Sequence, residues 1–295
     1  MNREAALLWR CGGRTLRVGA RPLIMGILNV TPDSFSDGGR YREPAAAVAH
    51  GLALARDGAD ILDVGGESTR PGAAAVPVDE ESARVVPVIA ALRRALADRP
   101  EPPVLSVDTR KAAVAARALE AGASLINDVS ALTHDPEMAA VARRYGAGVI
   151  LMHMRGDPTT MQLDPRYDDV VAEVAAYLAA RVEALCAAGL ARETLAVDPG
   201  IGFGKTVEHN LCLLARLDAL KAPGRPVVVG VSRKSFLGKL TGRDVAEREA
   251  ASLAAMVYAA LRGAHVVRVH DVRAARDAAA VVAALRATEE GACPH

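Results

Sequence analysis

The sequence has few cysteines, no long apolar run and almost no net charge, and each of these features excludes a class of protein. The cysteines are widely spaced and form no C-x-x-C pair, which argues against a zinc site and a disulfide framework; they are Cys11, Cys186, Cys212 and Cys293. No stretch approaches the roughly 18 apolar residues of a membrane helix, and the N-terminal MNREAALLWRCGG lacks the apolar segment of a signal peptide. A net charge of +1 attracts neither nucleic acid nor a membrane surface. We therefore expect a cytoplasmic protein with small-molecule partners, and neither nucleic acid nor membrane among them.

Short apolar runs alternate with alanine-rich stretches of helical character from about residue 22 onward. Each run is nearly continuous in apolar residues, which is typical of a parallel strand buried on both faces. The predicted strands are residues 22–30, 60–66, 104–109, 124–130, 148–154, 194–200, 226–232 and 266–272. Helices are predicted between them, for example at 44–56, 80–97, 111–120, 167–187 and 246–262.

Strict alternation of eight strands and eight helices predicts an α/β protein folded as a closed (β/α)8 barrel over residues 22–290. An open, doubly wound sheet is the alternative, although it more often has fewer strands. Gly58 and Gly122 lie just past predicted helix ends, where a left-handed residue is favoured, and Asp135 before a proline resembles a helix N-cap. Residues 1–21 form an N-terminal extension, in which Gly12-Gly13 predicts a short β-hairpin that covers the barrel floor.

Nearly every predicted strand ends in a polar or charged side chain. In a barrel of this kind the carboxyl ends of the strands form the active site. A charged group within an apolar strand is costly unless it is paired or serves a ligand, so a ring of such groups at one face predicts a functional site. Its members are Asn29, residues 67–70, Asp108, Asn127, Asp128, His153, Asp198, Ser232, Lys234, Arg268 and His270.

The chemistry of this ring indicates its ligand. Asp108, Asn127 and Asp198 can accept hydrogen bonds from a heterocycle edge rich in N–H groups, and Lys234 is a strong donor. The remaining residues suit a phosphate group with a divalent cation; they are Asn29, Arg70, Arg268 and His270. The ring thus divides into an acceptor-rich half and a cationic half, which predicts a heterocycle bearing a phosphorylated leaving group.

Three further segments lie near the ring. The glycine-rich stretches 31–39 and 65–72 are predicted to be mobile lids that exclude water. Residues 198–206, DPGIGFGKT, resemble a phosphate-binding P-loop, but Pro199 replaces its first glycine, so we interpret them as a turn that presents backbone N–H groups. His153 has no second ligand at helical spacing, which favours a hydrogen-bonded barrel histidine over a metal ligand.

The motifs together closely resemble those of dihydropteroate synthases. The two longest are MGILNVTPDSFSDGG at 25–39 and DVGGESTRPG at 63–72. They are followed in the family's order by SVDT at 106–109, INDVS at 126–130, MHM at 152–154, DPGIGFGK at 198–205, SRKS at 232–235 and RVHD at 268–271. The resemblance covers roughly residues 22 to 285, with no departure at a motif position.

The resemblance implies a TIM barrel transferase of folate biosynthesis, a homodimer and sulfonamide target that uses Mg2+. It would condense 6-hydroxymethyl-7,8-dihydropterin pyrophosphate with p-aminobenzoate, giving 7,8-dihydropteroate and pyrophosphate. The apolar face of residues 250–261 is compatible with a dimer, but equally with simple packing on the barrel.

The resemblance also implies residue roles. Asp108, Asn127 and Asp198 would hold the pterin edge, with Lys234 donating to the ring. Arg268, His270 and Asn29 would engage the pyrophosphate, Asn29 as a Mg2+ ligand, and the catalytic set would be Asp108, Lys234, Arg268 and His270. The other substrate-binding residues implied are Phe35, Thr69, Arg70, Pro71, Met152, Phe203 and Ser232.

The implied mechanism is dissociative. Loss of pyrophosphate leaves a cation on the pterin methylene, which carboxylates such as Asp108 stabilise, and the neutral arylamine then attacks. No nucleophile–base pair is evident in the sequence, and none is needed. Two rival functions stay open: a pterin-binding, corrinoid-dependent methyltransferase, which does not need the Ser-Thr-Arg-Pro segment, and a catalytically silent pterin-binding paralogue.

Overall fold

Eight parallel strands, each short and buried on both faces, form the frame of the molecule. The structure is a computed structural model that describes residues 7–19, 21–31, 39–68, 75–157 and 160–289. The barrel strands are β3 (Leu23–Asn29), β4 (Ile61–Gly65), β5 (Val104–Asp108), β6 (Leu125–Asp128), β7 (Gly148–Met152), β8 (Leu195–Asp198), β9 (Val228–Gly230) and β10 (Val266–Val269). Each strand lies within its predicted range and is shorter than predicted, because the residues at the ends of the range belong to loops.

The strands pair in the order β8-β7-β6-β5-β4-β3-β10-β9. A parallel bridge between Val197 and Val227 joins the two ends of this order, and the Val197 N–H donates to the carbonyl of Pro226 at 2.9 Å. The predicted closed barrel is therefore confirmed, and the open-sheet alternative is excluded.

Helices follow every barrel strand and cover the outside of the barrel. They are α1 (Gly39–Arg56), α2 (Val78–Ala95), α3 (Ala112–Glu120), α4 (Met138–Tyr145), α5 (Val170–Ala187), α6 (Val207–Ala215), α7 (Ser235–Thr241), α8 (Glu249–Leu261) and α9 (Val272–Glu289). The unit after β9 contains two of them, α7 and α8, which differs from the predicted single helix. In the described part of the chain, no helix combines the length and apolar character needed to cross a bilayer.

Apolar side chains of the strands divide between two cores. Residues such as Leu62, Val107 and Val197 pack outward against the helices in the larger core. Residues that alternate with them, such as Ile61 and Val104, fill the floor of the barrel interior. This division follows from the strand period of two, which turns successive side chains to opposite faces.

The N-terminal hairpin consists of β1 (Leu7–Cys11) and β2 (Arg14–Val18), paired antiparallel across the predicted glycine turn. Trp9 and Cys11 are fully buried and belong to the same apolar cluster as the barrel floor. The indole Nε1 of Trp9 also donates to the carbonyl of Thr194 at 2.9 Å, just before β8. The hairpin therefore closes the amino-terminal end of the barrel, as predicted.

Two of the three predicted cap positions are confirmed. Gly58 and Gly122 follow α1 and α3 with φ of +99° and +117°. The prediction for Asp135 is wrong, since α4 begins at Met138 and its N-cap is Glu137. The Asp135 carboxylate instead accepts from the backbone N–H of Glu137 at 3.0 Å and from that of Ala112, the first residue of α3, at 2.8 Å. A contact between two helix starts cannot be read from local sequence.

We expect the hairpin to stabilise the barrel without contributing to its chemistry. Trp9→Ala should lower the free energy of unfolding by about 3–5 kcal/mol, because it removes a large buried side chain and leaves a cavity in the floor. Denaturant unfolding measures the change. The control is Leu8→Ala on the same strand, where the side chain is 48% exposed and the expected change is about 0.5 kcal/mol or less. Equal losses in the two variants would contradict this role for the hairpin.

Candidate active site

The site is formed by the inward positions directly above the apolar floor. Since side chains alternate along a strand, the residues two positions after the floor residues face the interior again. On β3 to β10 these are Ile27, Asp63, Ser106, Asn127, Met152, Asp198, Gly230 and Arg268. Two positions further lie Asn29, Gly65, Asp108, Val129, Met154, Gly200, Ser232 and His270. Most of the predicted ring therefore lies in two successive layers at the carboxyl end of the barrel.

Asp63 is the centre of the lower layer. It is fully buried, and its carboxylate accepts from Ser106 Oγ at 2.7 Å, from Asn127 Nδ2 at 3.0 Å and from Arg268 Nε at 2.6 Å. These three donors come from β5, β6 and β10. Sequence reasoning missed Asp63 as a site residue, although a carboxylate in the middle of an apolar strand was the signal that could have found it.

Arg268 bridges two carboxylates. Its Nε contacts Asp63, and its Nη2 donates to Asp108 Oδ2 at 2.7 Å. Burial by itself lowers the pKa of the guanidinium, but the charges of Asp63 and Asp108 raise it above its ordinary value. Arg268 therefore lies between two carboxylates, and its assignment to the cationic half of the ring stays a prediction.

Asp108 and Asp198 are carboxyl groups that lie deep in the barrel mouth among other charged groups. Burial raises the pKa of the Asp108 carboxyl to about 7, although Arg268 opposes the shift. Burial also raises the pKa of Asp198 to about 6, against a hydrogen bond from the Gly200 N–H at 2.7 Å and the charge of Lys234. Both carboxyls therefore change charge near neutral pH, so a ligand's charge can decide their protonation.

Asn127 and Asp128 are neighbours in sequence that lie on opposite faces of β6. The Asn127 Nδ2 contact with Asp63 fixes the orientation of its amide inside the barrel. The Asp128 carboxylate accepts from the N–H of Ser130 at 2.7 Å and of Leu132 at 3.2 Å. It stabilises the turn after β6, where Leu132 has a φ of +61°. Inclusion of Asp128 in the ring is therefore wrong, because the strand alternation turns it outward.

Lys234 forms the opposite side of the mouth. Its ammonium lies 4.0 Å from the centre of the Phe203 ring, a cation–π geometry. Burial lowers the pKa of Lys234 to about 8. Phe203 packs with Met152 and Met161 in a small apolar cluster separate from both main cores. The predicted site residues Met152, Phe203 and Lys234 are thus brought together beside a patch suited to an aromatic ligand.

Ser232 and His270 form a contact that sequence reasoning did not foresee. Ser232 Oγ lies 2.9 Å from His270 Nδ1 and accepts from the His270 backbone N–H at 3.3 Å. A hydroxyl can donate one hydrogen bond and accept two, so Oγ can pair with either tautomer of the imidazole while it accepts from the backbone. No nucleophile–base pair is evident in the sequence, and this hydroxyl–imidazole contact is visible only in the folded barrel, where it holds the His270 ring in place.

His153 and Lys205 occupy the wall behind the site. The Lys205 ammonium lies 3.0 Å from His153 Nδ1. Burial, with the Lys205 charge, lowers the pKa of His153 to about 3. The interpretation of His153 as a hydrogen-bonded barrel histidine is confirmed. Lys205 appeared only as part of a turn motif, and no sequence signal marked it as the partner of His153.

The remaining predicted residues divide into two groups. Asn29 is exposed at the end of β3, in the upper layer, beside Gly65 of β4. Phe35, Thr69, Arg70 and Pro71 lie outside the residues that the structure describes, so their roles, and those of the two predicted lids, stay predictions.

The Asp63 cluster generates a stability prediction. Asp63→Asn should lower the free energy of unfolding by about 3–5 kcal/mol, since it leaves the buried Arg268 with one carboxylate and brings an amide against its donors. Denaturant unfolding measures this change. The control is Ser106→Ala, which removes one donor and should cost about 1 kcal/mol. A similar, small loss in both variants would show that Asp63 does not hold the layer together.

Comparisons with known proteins agree with this arrangement. The family model described as pterin binding enzyme matches residues 25–270. The dihydropteroate synthase of Neisseria meningitidis serogroup C is 48% identical over 275 residues, which cover 92% of this chain and 95% of that protein.

Solved structures give the same result. The dihydropteroate synthase of Xanthomonas albilineans with 4-aminobenzoic acid has a TM-score of 0.88 and 49% identity, covering 98% of this chain and 100% of that one. The Burkholderia cenocepacia dihydropteroate synthase complexed with 7,8-dihydropteroate has a TM-score of 0.85 and 45% identity, covering 97% and 98%. The chain therefore belongs to the dihydropteroate synthase family of pterin binding enzymes.

Proposed function

We propose that this transferase condenses 6-hydroxymethyl-7,8-dihydropterin pyrophosphate with p-aminobenzoate, releasing pyrophosphate and 7,8-dihydropteroate. Family membership supports the reaction, and the two solved relatives hold one of its substrates and its product. The observation that carries the proposal is the layer in which Asp63 orients Asn127 and Arg268 between Asp108 and the barrel mouth. This layer presents acceptors to a heterocycle and a cation to its anionic substituent.

The pterin edge carries several N–H donors, and the site offers hydrogen-bond acceptors to them. Asp198 and Asn127 lie on β8 and β6 at the same level of the barrel, and Lys234 supplies a donor for the pterin oxygen or ring nitrogen. With Asn127 Nδ2 bound to Asp63, its amide oxygen is the end available for a donor. Asp198 must be ionised to accept from more than one N–H group.

Cleavage of the carbon–oxygen bond places positive charge on the pterin methylene and negative charge on pyrophosphate. Because burial raises the pKa of Asp108 to about 7, a cation that develops nearby favours its ionised form, and the ionised carboxylate stabilises that cation. Arg268 and His270 are the donors for the departing anion. The arylamine attacks as a neutral nucleophile: its nitrogen bonds to the methylene in place of the departed oxygen, and the proton it loses passes to the released pyrophosphate or to water. Ser232 holds the His270 ring in place and forms no covalent intermediate.

A divalent cation is part of this proposal, and Asn29 is the residue that would hold it. Among the residues that the structure describes, no three His, Cys, Asp or Glu side chains are grouped as a metal site. This donor set fits Mg2+, which commonly keeps several waters and binds through one or two protein oxygens plus substrate phosphates. When bound, the ion would neutralise charge on the leaving group.

Pyrophosphate release tests the proposed function. We expect release only when both substrates and Mg2+ are present, and at least about a tenfold lower rate after chelation. Asn29→Ala should raise the Mg2+ concentration needed for half the maximal rate while leaving thermal stability unchanged, since Asn29 is exposed. Turnover of methyltetrahydrofolate with a corrinoid would instead favour the methyltransferase. The absence of any turnover would favour a silent paralogue.

Asp198 predicts a pH dependence for pterin binding. With a pKa of about 6, the carboxyl is ionised at pH 8 and becomes protonated as the pH falls. Calorimetric titration should therefore show an affinity that is constant at high pH and falls about tenfold per pH unit below the pKa. Asp198→Asn should bind more weakly at pH 8, by about 1–3 kcal/mol, and should lose this dependence. Any pH dependence left in the variant belongs to the other groups of the site that titrate in this range, such as Asp108 and Lys234. Undiminished affinity would show that Asp198 is structural.

We also propose a cytoplasmic homodimer. Exposed apolar side chains on the adjacent helices α7, α8 and α9 support the dimer; they are Leu240, Tyr258, Leu261, Val281 and Leu285. Sedimentation velocity measures the oligomeric state. The free cysteines among the described residues, Cys11, Cys186 and Cys212, support a reducing compartment.

A further inference from the structure

Lys205 is a buried cation for which the chemistry above has no use. Its side chain is almost fully buried, and its ammonium donates to the carbonyl of Phe203 at 2.9 Å and to that of His153 at 3.4 Å. The third contact is His153 Nδ1 at 3.0 Å. The three acceptors match the three N–H groups of a lysine, and all of them are uncharged.

Burying the Lys205 ammonium costs free energy, so we expect its hydrogen bonds to serve a purpose that an apolar side chain could not. Burial lowers the pKa of Lys205 to about 7, which shows how strongly the surroundings disfavour its charge. An apolar side chain of similar length would fill the same space without that cost. The gain must therefore lie in what the three hydrogen bonds hold in place.

They hold the turn that carries Phe203. The flanking Gly202 and Gly204 have φ of +81° and +61°, and a Cβ at Gly204 would lie 2.5 Å from the carbonyl oxygen of Arg155. The turn is thus pressed against the end of β7. The Gly202 carbonyl accepts from Gln162 and the Gly204 carbonyl from Tyr167. The Phe203 carbonyl, between them, accepts from Lys205.

The Phe203 ring belongs to the apolar patch at the barrel mouth. It lies under the Lys234 ammonium at 4.0 Å and against Met152 and Met161. The backbone bond from Lys205 and the ring contact with Lys234 therefore fix the same residue from two sides. A shift of the Phe203 carbonyl moves the ring that forms the wall of the aromatic patch.

We propose that Lys205 is a positioning residue for the arylamine substrate: it fixes the Phe203 backbone and thereby the ring against which p-aminobenzoate packs. Lys205 does not itself touch substrate. The inference rests on the proposed function, because it needs p-aminobenzoate to bind beside Phe203. It goes beyond that function by assigning a role to a buried group outside the reacting atoms.

A double-mutant cycle tests the inference. Steady-state rates of pyrophosphate release are measured with varied p-aminobenzoate for wild type, Lys205→Met, Phe203→Ala and the double variant. We expect Lys205→Met to raise KM for p-aminobenzoate about tenfold, or about 1.4 kcal/mol, with kcat and KM for the pterin pyrophosphate within about threefold. Because Lys205 acts through Phe203, adding Lys205→Met to Phe203→Ala should change KM by less than about twofold. The control is Lys239→Met on the exposed side of α7, with unchanged KM values.

The results separate this inference from the proposed function. A wild-type protein without pyrophosphate release would contradict the proposed function itself. An active wild type with an unchanged KM in Lys205→Met, or with additive effects in the double variant, would overturn only the positioning role. If circular dichroism shows that Lys205→Met is unfolded, Lys205→Gln, which keeps two N–H donors, replaces it and Phe203→Leu replaces Phe203→Ala. Additive effects in that cycle would overturn the inference in the same way.

Discussion

The carboxylate of Asp63 is the contact on which the geometry of the site depends. It accepts hydrogen bonds from side chains of three other strands, and it does so without exposure to solvent. A fully buried carboxylate is stable only when donors surround it. Loss of any of the three hydrogen bonds would leave the buried carboxylate short of a donor, so the bonds persist in the folded protein. Asn127 and Arg268 therefore have fixed orientations before any ligand binds.

Preorganisation of this kind suits a reaction in which charge separates. Arg268 is held between Asp63 and Asp108, and their charges raise its pKa although the side chain is half-buried among the strands. Asp108 and Asp198 are destabilised as anions by burial, so ligand charge determines their state. The site can thus respond to a methylene cation and to an anionic leaving group without moving its side chains, which is the advantage of preorganised electrostatics.

Stability and chemistry occupy opposite ends of the barrel. The floor contains apolar residues such as Ile61 and Val104, closed from below by Trp9. The polar layers begin two residues later on the same strands. Because the floor packs without polar groups, the mouth can hold buried charges that weaken the fold locally. The same separation explains why we expect Trp9 to affect unfolding and not turnover.

The eight strands, the closed barrel and most members of the ring are predictable from the sequence, because buried parallel strands are continuous in apolar residues and a polar end stands out against them. Asp108, Asn127, Asp198 and Lys234 are recognised in this way. The central position of Asp63 in the layer is visible only in the folded barrel. That position depends on which distant strands are adjacent in the barrel.

Tertiary structure also decided which of two adjacent polar residues enters the site. Asn127 faces inward and Asp128 outward, and a shift of one residue in strand register would exchange them. The contact of Asp135 with Ala112 and that of Lys205 with His153 join distant segments, so no local pattern could supply them. Sequence determines local periodicity, because that depends on neighbouring side chains. The pairing of the site's charges depends on the assembled sheet, because the pairing of β10 with β3 and of β3 with β4 sets the level at which Arg268 meets Asp63.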